Sequence, residues 1–240
     1  MKRAERHHLK ENELQRLAIQ ARGMIDERRR ETTAVLTGLI VIAAVAAAYF
    51  MWREHVQSKA GALLAEAVAV QQSRIAVAGA PPQAGEFPNE RARLEAAAGK
   101  FKAAADAYPS SDAGIFARYQ EAASYLALGN TAAAITAYQD VVNRGGNGIN
   151  GQMARLGLAE AQARAGQYDQ AINAFKELAQ RKEGPLPVDG ILMQLGRVYR
   201  DAGKQSDAKQ TFNRIVEEYP DSPFTPEAKR EIESLNKTAA

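Results

Sequence analysis

The pattern of apolar and polar residues separates a short uncharged stretch near the N-terminus from a long region with helical periodicity. Residues 32–52 carry no charged side chain. A helix of that length rises about 31 Å, which matches the hydrocarbon core of a bilayer. Tyr49 and Trp52 lie at its far end, where aromatic rings favour the headgroup level. The pattern predicts one transmembrane helix over residues 32–52.

The distribution of basic residues predicts the orientation of this helix. Residues 1–31 hold nine Lys/Arg and six Asp/Glu, whereas only Arg53 and Lys59 follow the span closely. The positive-inside rule then makes residues 1–31 a basic cytoplasmic tail. We expect a single-pass protein of the bacterial inner membrane, with its C-terminal domain in the periplasm. A cleaved signal peptide is the alternative, but its basic leader would be much shorter than this one.

The segment after the span, residues 53–89, combines two different patterns. Apolar residues recur at helical spacing from Glu54 to Val77, which predicts an amphipathic helix leaving the membrane. Pro81, Pro82 and Pro88 follow, and proline removes the backbone donor that a helix interior needs. We therefore expect a helix followed by a proline-rich loop.

A repeat of 37 residues organises the remainder of the chain. Small residues recur at this spacing at Ala97, Ala134, Ala171 and Ala208. Aromatic residues recur one helical turn later at Phe101, Tyr138, Phe175 and Phe212. Glycines recur before them at Gly129, Gly166 and Gly203, as expected for tight turns between helices. The period predicts stacked helical hairpins over residues 90–221, because a single hairpin cannot bury its own apolar face.

The C-terminal segment, residues 222–240, reads as a helix that caps the last repeat. Ser222-Pro223 and Thr225-Pro226 are helix-start signals, and Ile232 and Leu235 supply an apolar side. The fold class predicted is all-α: one transmembrane helix, then a solenoid of about three and a half hairpins and a capping helix. No alternating β pattern of useful length occurs.

These residues resemble the tetratricopeptide repeat (TPR) family. The last unit reads LGRVY at Leu195–Tyr199, followed by Gly203, Ala208, Phe212 and Pro220. The order of tail, span, amphipathic helix and repeats resembles the ancillary subunit of the SecYEG translocon, the YfgM-like family. That resemblance implies a periplasmic repeat domain that contacts envelope chaperones and exported chains. The ending YPDSPFTPEAKREIESL is similar to repeat lipoproteins of outer-membrane assembly and cell constriction.

The residue types needed for catalysis or metal binding are scarce. The chain has no cysteine, which excludes disulfides, thiol catalysis and lipidation of a cysteine within these residues. Gly146, Gly148 and Gly151 spell G-x-G-x-x-G, but a helical segment precedes them where a dinucleotide site needs a strand. His7, His8 and His55 have no third ligand nearby. We expect no enzyme activity, no cofactor and no metal, and the neutral net charge of residues 32–240 argues against nucleic-acid binding.

The first helix of each hairpin is expected to line a groove that binds segments of other proteins. Repeat phase places nine candidates there: Tyr119, Gln120, Met153, Leu156, Glu160, Met193, Gln194, Arg197 and Arg200. Met153, Leu156 and Met193 could equally be core residues. The two arginines could hold an acidic group or a C-terminal carboxylate of the partner.

Three functions fit this organisation. The first is a periplasm-facing adaptor or chaperone helper associated with the translocon, with translocon subunits, exported chains or envelope chaperones as partners. The second is a scaffold in envelope assembly, outer-membrane assembly or division. The third is a membrane sensor or regulator that acts through the cytoplasmic tail.

Overall fold

The computed structural model describes residues 29–77, 81–181 and 186–238, which confirm the predicted all-α fold. Most of the predicted cytoplasmic tail, residues 1–31, lies outside the described residues. The described chain forms nine helices: α1 (Arg29–Gln71), α2 (Glu90–Ala107), α3 (Asp112–Ala127), α4 (Thr131–Gly145), α5 (Ile149–Arg164), α6 (Tyr168–Gln180), α7 (Val188–Asp201), α8 (Gln205–Glu218) and α9 (Thr225–Thr238).

The chain divides into two compact units, Met1–His55 and Val56–Ala240. In the first unit, the large apolar side chains from Val35 to Trp52 are each more than half exposed. By length and composition, the segment Thr33–Gln71 contains a stretch able to cross a membrane. Apolar side chains exposed on every side of a helix are what a lipid environment accommodates.

The second unit begins with the distal part of α1, which ends earlier than the apolar pattern predicts. The helix stops at Gln71 rather than continuing to Val77. The reason is a competing backbone pairing, because the amide of Ala76 donates to the carbonyl of Phe87 at 2.8 Å. The amide of Phe87 donates in turn to the carbonyl of Arg74 at 2.9 Å, and an isolated parallel bridge forms between Ile75 and Phe87.

The distal part of α1 supplies the first helix of the first hairpin, which the sequence left unassigned. Ala67 shares a buried cluster with Ala97 and Phe101 of α2. An ion pair of 2.5 Å joins Lys100 on α2 to Glu66 on α1. Four helix pairs therefore stack in sequence, and α9 follows the fourth.

Turn glycines and capping side chains set the ends of the hairpin helices. Gly129, Gly166 and Gly203 have φ values of +79°, +76° and +74°, a region that favours glycine because it lacks a Cβ. The predicted turn positions are thus confirmed. Asn89, Ser111 and Asn130 each accept a hydrogen bond from an amide in the first turn of the helix that follows.

The repeated aromatic residues form the centre of the core. Phe101, Phe175 and Phe212 are fully buried, and Tyr138 is 3% exposed. Two of these rings lie against a glycine: Tyr138 against Gly157 of α5, and Phe212 against Gly196 of α7. A Cβ at Gly196 would lie 2.7 Å from Cδ1 of Phe212, so this approach requires glycine.

An ion-pair network centred on the largely buried Arg118 joins α2, α3 and α4. Arg118 on α3 has a side chain only 15% exposed, and it pairs with Glu121 one turn later at 2.6 Å. Its guanidinium also contacts Asp106 of α2 and, at 3.2 Å, Asp140 of α4. Arg118 therefore contacts carboxylates from three helices at once, and Lys102 and Arg144 supply further positive charge to Asp106 and Asp140.

Candidate protein-binding face

The first helices α3 and α5 lie side by side and present half-buried apolar side chains. We call this surface the α3–α5 face and define it by Phe116, Tyr119, Met153, Leu156 and Glu160, of which Leu156 also packs against the core cluster that contains Met193. The ring of Phe116 stacks on that of Tyr119 with centroids 6.2 Å apart. Tyr119 meets the buried Tyr138 edge to face at 5.6 Å, so it is anchored while part of it remains accessible.

At the polar end of this face, a carboxylate is paired with a basic side chain. Glu160 accepts a hydrogen bond from Arg164 at 2.6 Å, one helical turn later. Burial, and next the charge of Glu160, raise the pKa of Tyr119. The phenol therefore stays protonated at neutral pH and remains a hydrogen-bond donor. The face can thus offer aromatic and thioether surface beside one donor and one ion pair.

Two of the predicted groove residues are engaged elsewhere. Met193 is 1% exposed and belongs to the hydrophobic core, so its side chain is not available to a partner. Gln120 is half-buried, and its Nε2 lies 3.4 Å from Oε1 of Gln71 on α1. Both positions follow the repeat phase, but neighbouring elements cover them.

The three remaining candidates on α7 have partners within the chain. Arg197 pairs with Glu227 of α9 at 2.5 Å, and Arg200 pairs with Glu231 of α9 at 2.6 Å. Gln194 lies 3.4 Å from a nitrogen of Arg197. The carboxylates that these arginines hold therefore come from the capping helix and, for Arg200, also from Asp201 of α7 itself at 3.0 Å.

Sequence reasoning missed two residues at this surface. Phe116 precedes Tyr119 by three residues, and that spacing places both on one helix face. Ile149 precedes Met153 by four residues and is 53% exposed. The same helical spacing, extended one turn backwards from each predicted residue, would have found them.

The structure does not give the G-x-G-x-x-G sequence the strand that a dinucleotide site needs before it. Gly146 and Gly148 lie in the turn between α4 and α5, so a helix precedes them rather than a strand. Within the described ranges there is no group of three or more His, Cys, Asp or Glu that could hold a metal ion.

Comparison with protein families gives a match over most of the chain. The profile of the family described as "YfiO: Outer membrane lipoprotein" matches residues 83–240, which include every hairpin helix from α2 onwards and the capping helix. The matched region begins after the apolar segment of α1. A search of curated protein sequences finds no match.

Among the solved structures with similar folds are arrays of TPR-like repeats. Two are crystal structures described as a putative kinesin light chain of Podosopora anserina with nearly identical TPR-like repeats, one of them a form with a single substitution. Each has a TM-score of 0.58 and 13% sequence identity to this chain, and covers 75% of it. The alignments span 86% and 87% of those chains. At this identity the likeness concerns the fold alone, which is TPR-like.

Proposed function

Because this chain belongs to the YfiO family of outer membrane lipoproteins, we propose that it is a membrane-anchored envelope scaffold whose α3–α5 face binds segments of other proteins. The observation that carries the proposal is the half-buried aromatic and Met surface of this face, which the described chain leaves partly open. Met and aromatic side chains suit a surface that accepts varied apolar segments.

The means of membrane attachment differs from the one that the family description names. The chain contains no cysteine that could carry a lipid, and an apolar helix precedes the matched region. We infer that this helix replaces the lipid anchor. With the basic residues before it, the helix would cross the inner membrane once and leave Val56–Ala240 in the periplasm.

A translocon-associated adaptor is the second candidate function. The order of basic tail, apolar helix and repeats favours it, because an inner-membrane anchor would hold the repeats near the site where exported chains emerge. The family match favours the scaffold of outer-membrane or envelope assembly. Both functions use the same face, and they differ in the protein that occupies it.

Site-specific photo-crosslinking of the full-length protein in membranes distinguishes these candidates. A photoreactive phenylalanine analogue at position 119 or 153 is expected to crosslink proteins that bind the face. Translocon subunits together with exported chains would identify an adaptor. Envelope-assembly or division proteins alone would identify a scaffold.

The matched control places the analogue at Asn173, which is exposed on α6. We expect no specific product there, because Asn173 lies on a second helix rather than on a first helix. Identical products from positions 119, 153 and 173 would contradict the assignment of the α3–α5 face.

The predicted topology is testable by cysteine labelling, since the native chain gives no background. We expect Gln170→Cys, exposed on α6, to react with a membrane-impermeant maleimide in cells whose outer membrane has been permeabilised. Lys2→Cys, in the basic tail, should react only after the inner membrane is lysed. The opposite pattern, or equal labelling of both variants while the inner membrane is intact and the outer membrane is permeabilised, would refute the orientation.

A further inference from the structure

Within the 37-residue period, the capping helix α9 stands where the first helix of a fifth hairpin would stand. Three buried positions of α7 are Ile191, Leu195 and Val198. One period of 37 residues later stand Ala228, Ile232 and Leu235, of which Ala228 and Leu235 are buried and Ile232 is half-buried against the same cluster. Helix α9 thus occupies the place of a repeat helix, but the described chain has no second helix after it.

The contact between α7 and α9 has a regular charge pattern. Arg197 and Arg200, three residues apart on α7, pair with Glu227 and Glu231, four residues apart on α9. Both spacings place the two charges on one side of their helix, so the pairs form side by side. The pKa of Arg200 is raised, first by its hydrogen bond to Glu231.

The anchoring of α9 depends on few large side chains. Ala228 is small, and only Ile232 and Leu235 supply substantial apolar area from the helix. The Arg197 and Glu227 side chains remain 33% and 34% exposed, so water and salt screen their attraction, whereas Glu231 is only 18% exposed. Lys209 of α8 also donates a hydrogen bond to Asn236 at 2.7 Å. An element held by few large apolar side chains and by polar contacts that water partly reaches opens more readily than a core helix.

We propose that the surface of α7 and α8 beneath α9 is a second docking site, which takes an acidic amphipathic helix from a partner protein, and that α9 is its intramolecular occupant. The required pattern is two carboxylates four residues apart, with apolar residues one, five and eight positions after the first. This surface is separate from the α3–α5 face. Its test can therefore fail while the proposed function stands, and the reverse also holds.

The experiment uses the full-length protein in detergent and a fluorescent peptide with the sequence of residues 222–238. Charge reversal in the protein, Glu227→Arg with Glu231→Arg, weakens the binding of α9 to its own docking surface. It therefore raises the fraction of molecules in which that surface is open. We expect this variant to bind the peptide about tenfold more tightly than the wild-type protein does. Equal affinity, with helicity retained, would overturn the proposal.

Two controls separate charge recognition from nonspecific peptide binding. A peptide carrying Glu227→Gln and Glu231→Gln should bind the same variant about tenfold more weakly. Equal binding of both peptides would overturn the proposal, as would self-association of the variant without peptide binding, which would make a second copy the occupant.

A second protein variant keeps the test decisive if the first does not fold. Arg197→Glu with Arg200→Glu should prefer a peptide carrying Glu227→Arg and Glu231→Arg over the native peptide. An unchanged preference for the acidic peptide would show that these arginines do not select the occupant.

Discussion

Phe212→Ala is expected to lower the free energy of unfolding by about 4 kcal/mol, near the upper end of single core substitutions. Phe212 is fully buried on α8, and its ring fills the space above Gly196 of α7. Truncation removes the apolar ring and leaves a cavity that the flanking helices close only in part. Urea denaturation of the full-length protein in detergent, followed by circular dichroism, measures the loss.

The same contact predicts that Gly196→Ala changes the free energy of unfolding in opposite directions with and without the Phe212 ring. In the wild-type protein, Gly196→Ala should destabilise, because the new Cβ would lie within 2.7 Å of the Phe212 ring. In the Phe212→Ala background the ring is absent. Alanine then fills part of the cavity and improves helix propensity by about 1 kcal/mol, so Gly196→Ala should stabilise.

The double-mutant cycle has a matched control at Gly99. This glycine is also inside a helix, α2, but a Cβ there would meet no atom within 4 Å. Gly99→Ala should therefore stabilise to the same extent with and without Phe212. Destabilisation by Gly196→Ala in both backgrounds would mean that the ring does not set the requirement for glycine.

The parts of the fold that follow the 37-residue period were predictable because the same packing recurs in each hairpin. A small residue permits close helix approach, and an aromatic residue one turn later fills the remaining space. This rule placed Ala171 and Phe175 in the core and Gly166 in a turn with positive φ. Local sequence was sufficient because each of these roles is determined within one repeat.

Other features depend on contacts that cross the period. The glycine beneath an aromatic ring belongs to the next hairpin for Tyr138 but to the same hairpin for Phe212. The end of α1 depends on pairing with Phe87, which the residues up to Val77 do not reveal. No local pattern specifies such partners.

At the candidate site too, the sequence could predict what depends on one repeat but not what depends on contacts between distant elements. Helical phase placed Tyr119 on a first helix, and in the structure it lies there and is half-buried. The phase could not show that the core covers Met193. It also could not show that Arg200 pairs with α9, because the sequence pattern contains no information about how the capping helix docks.

Arg118→Ala is the other substitution with a large expected effect, a loss of about 3–5 kcal/mol in the free energy of unfolding. The side chains of Arg118 and Glu121 are only 15% and 4% exposed. Removing the guanidinium leaves Glu121 charged in a buried site, with Asp106 and Asp140 nearby and less well compensated. Breaking one side of a buried pair costs more than the pair contributes, because the remaining charge is not solvated.

The loss caused by Arg118→Ala should shrink as the pH falls. Burial raises the pKa of Glu121 above its ordinary value of 4.5, and Arg118 opposes that rise. Without Arg118 the folded-state pKa rises further, so between the unfolded and folded pKa values the folded state binds more protons. Stability then decreases with increasing pH across this window. Denaturation at pH 5 and at pH 7.5 should show a smaller difference from wild type at pH 5.

The chain itself contains the apolar substitute that tests this explanation. Two periods after Arg118 and Glu121 stand Leu192 and Leu195, which are 0% and 3% exposed. Leucine is therefore accommodated at both positions of the repeat, and Arg118→Leu with Glu121→Leu should recover most of the stability that Arg118→Ala loses. Asp106 retains Lys102 and Asp140 retains Arg144 as partners in the double variant. If the double variant is as unstable as Arg118→Ala, the stabilisation comes from the links to Asp106 and Asp140 rather than from compensation of the buried Glu121.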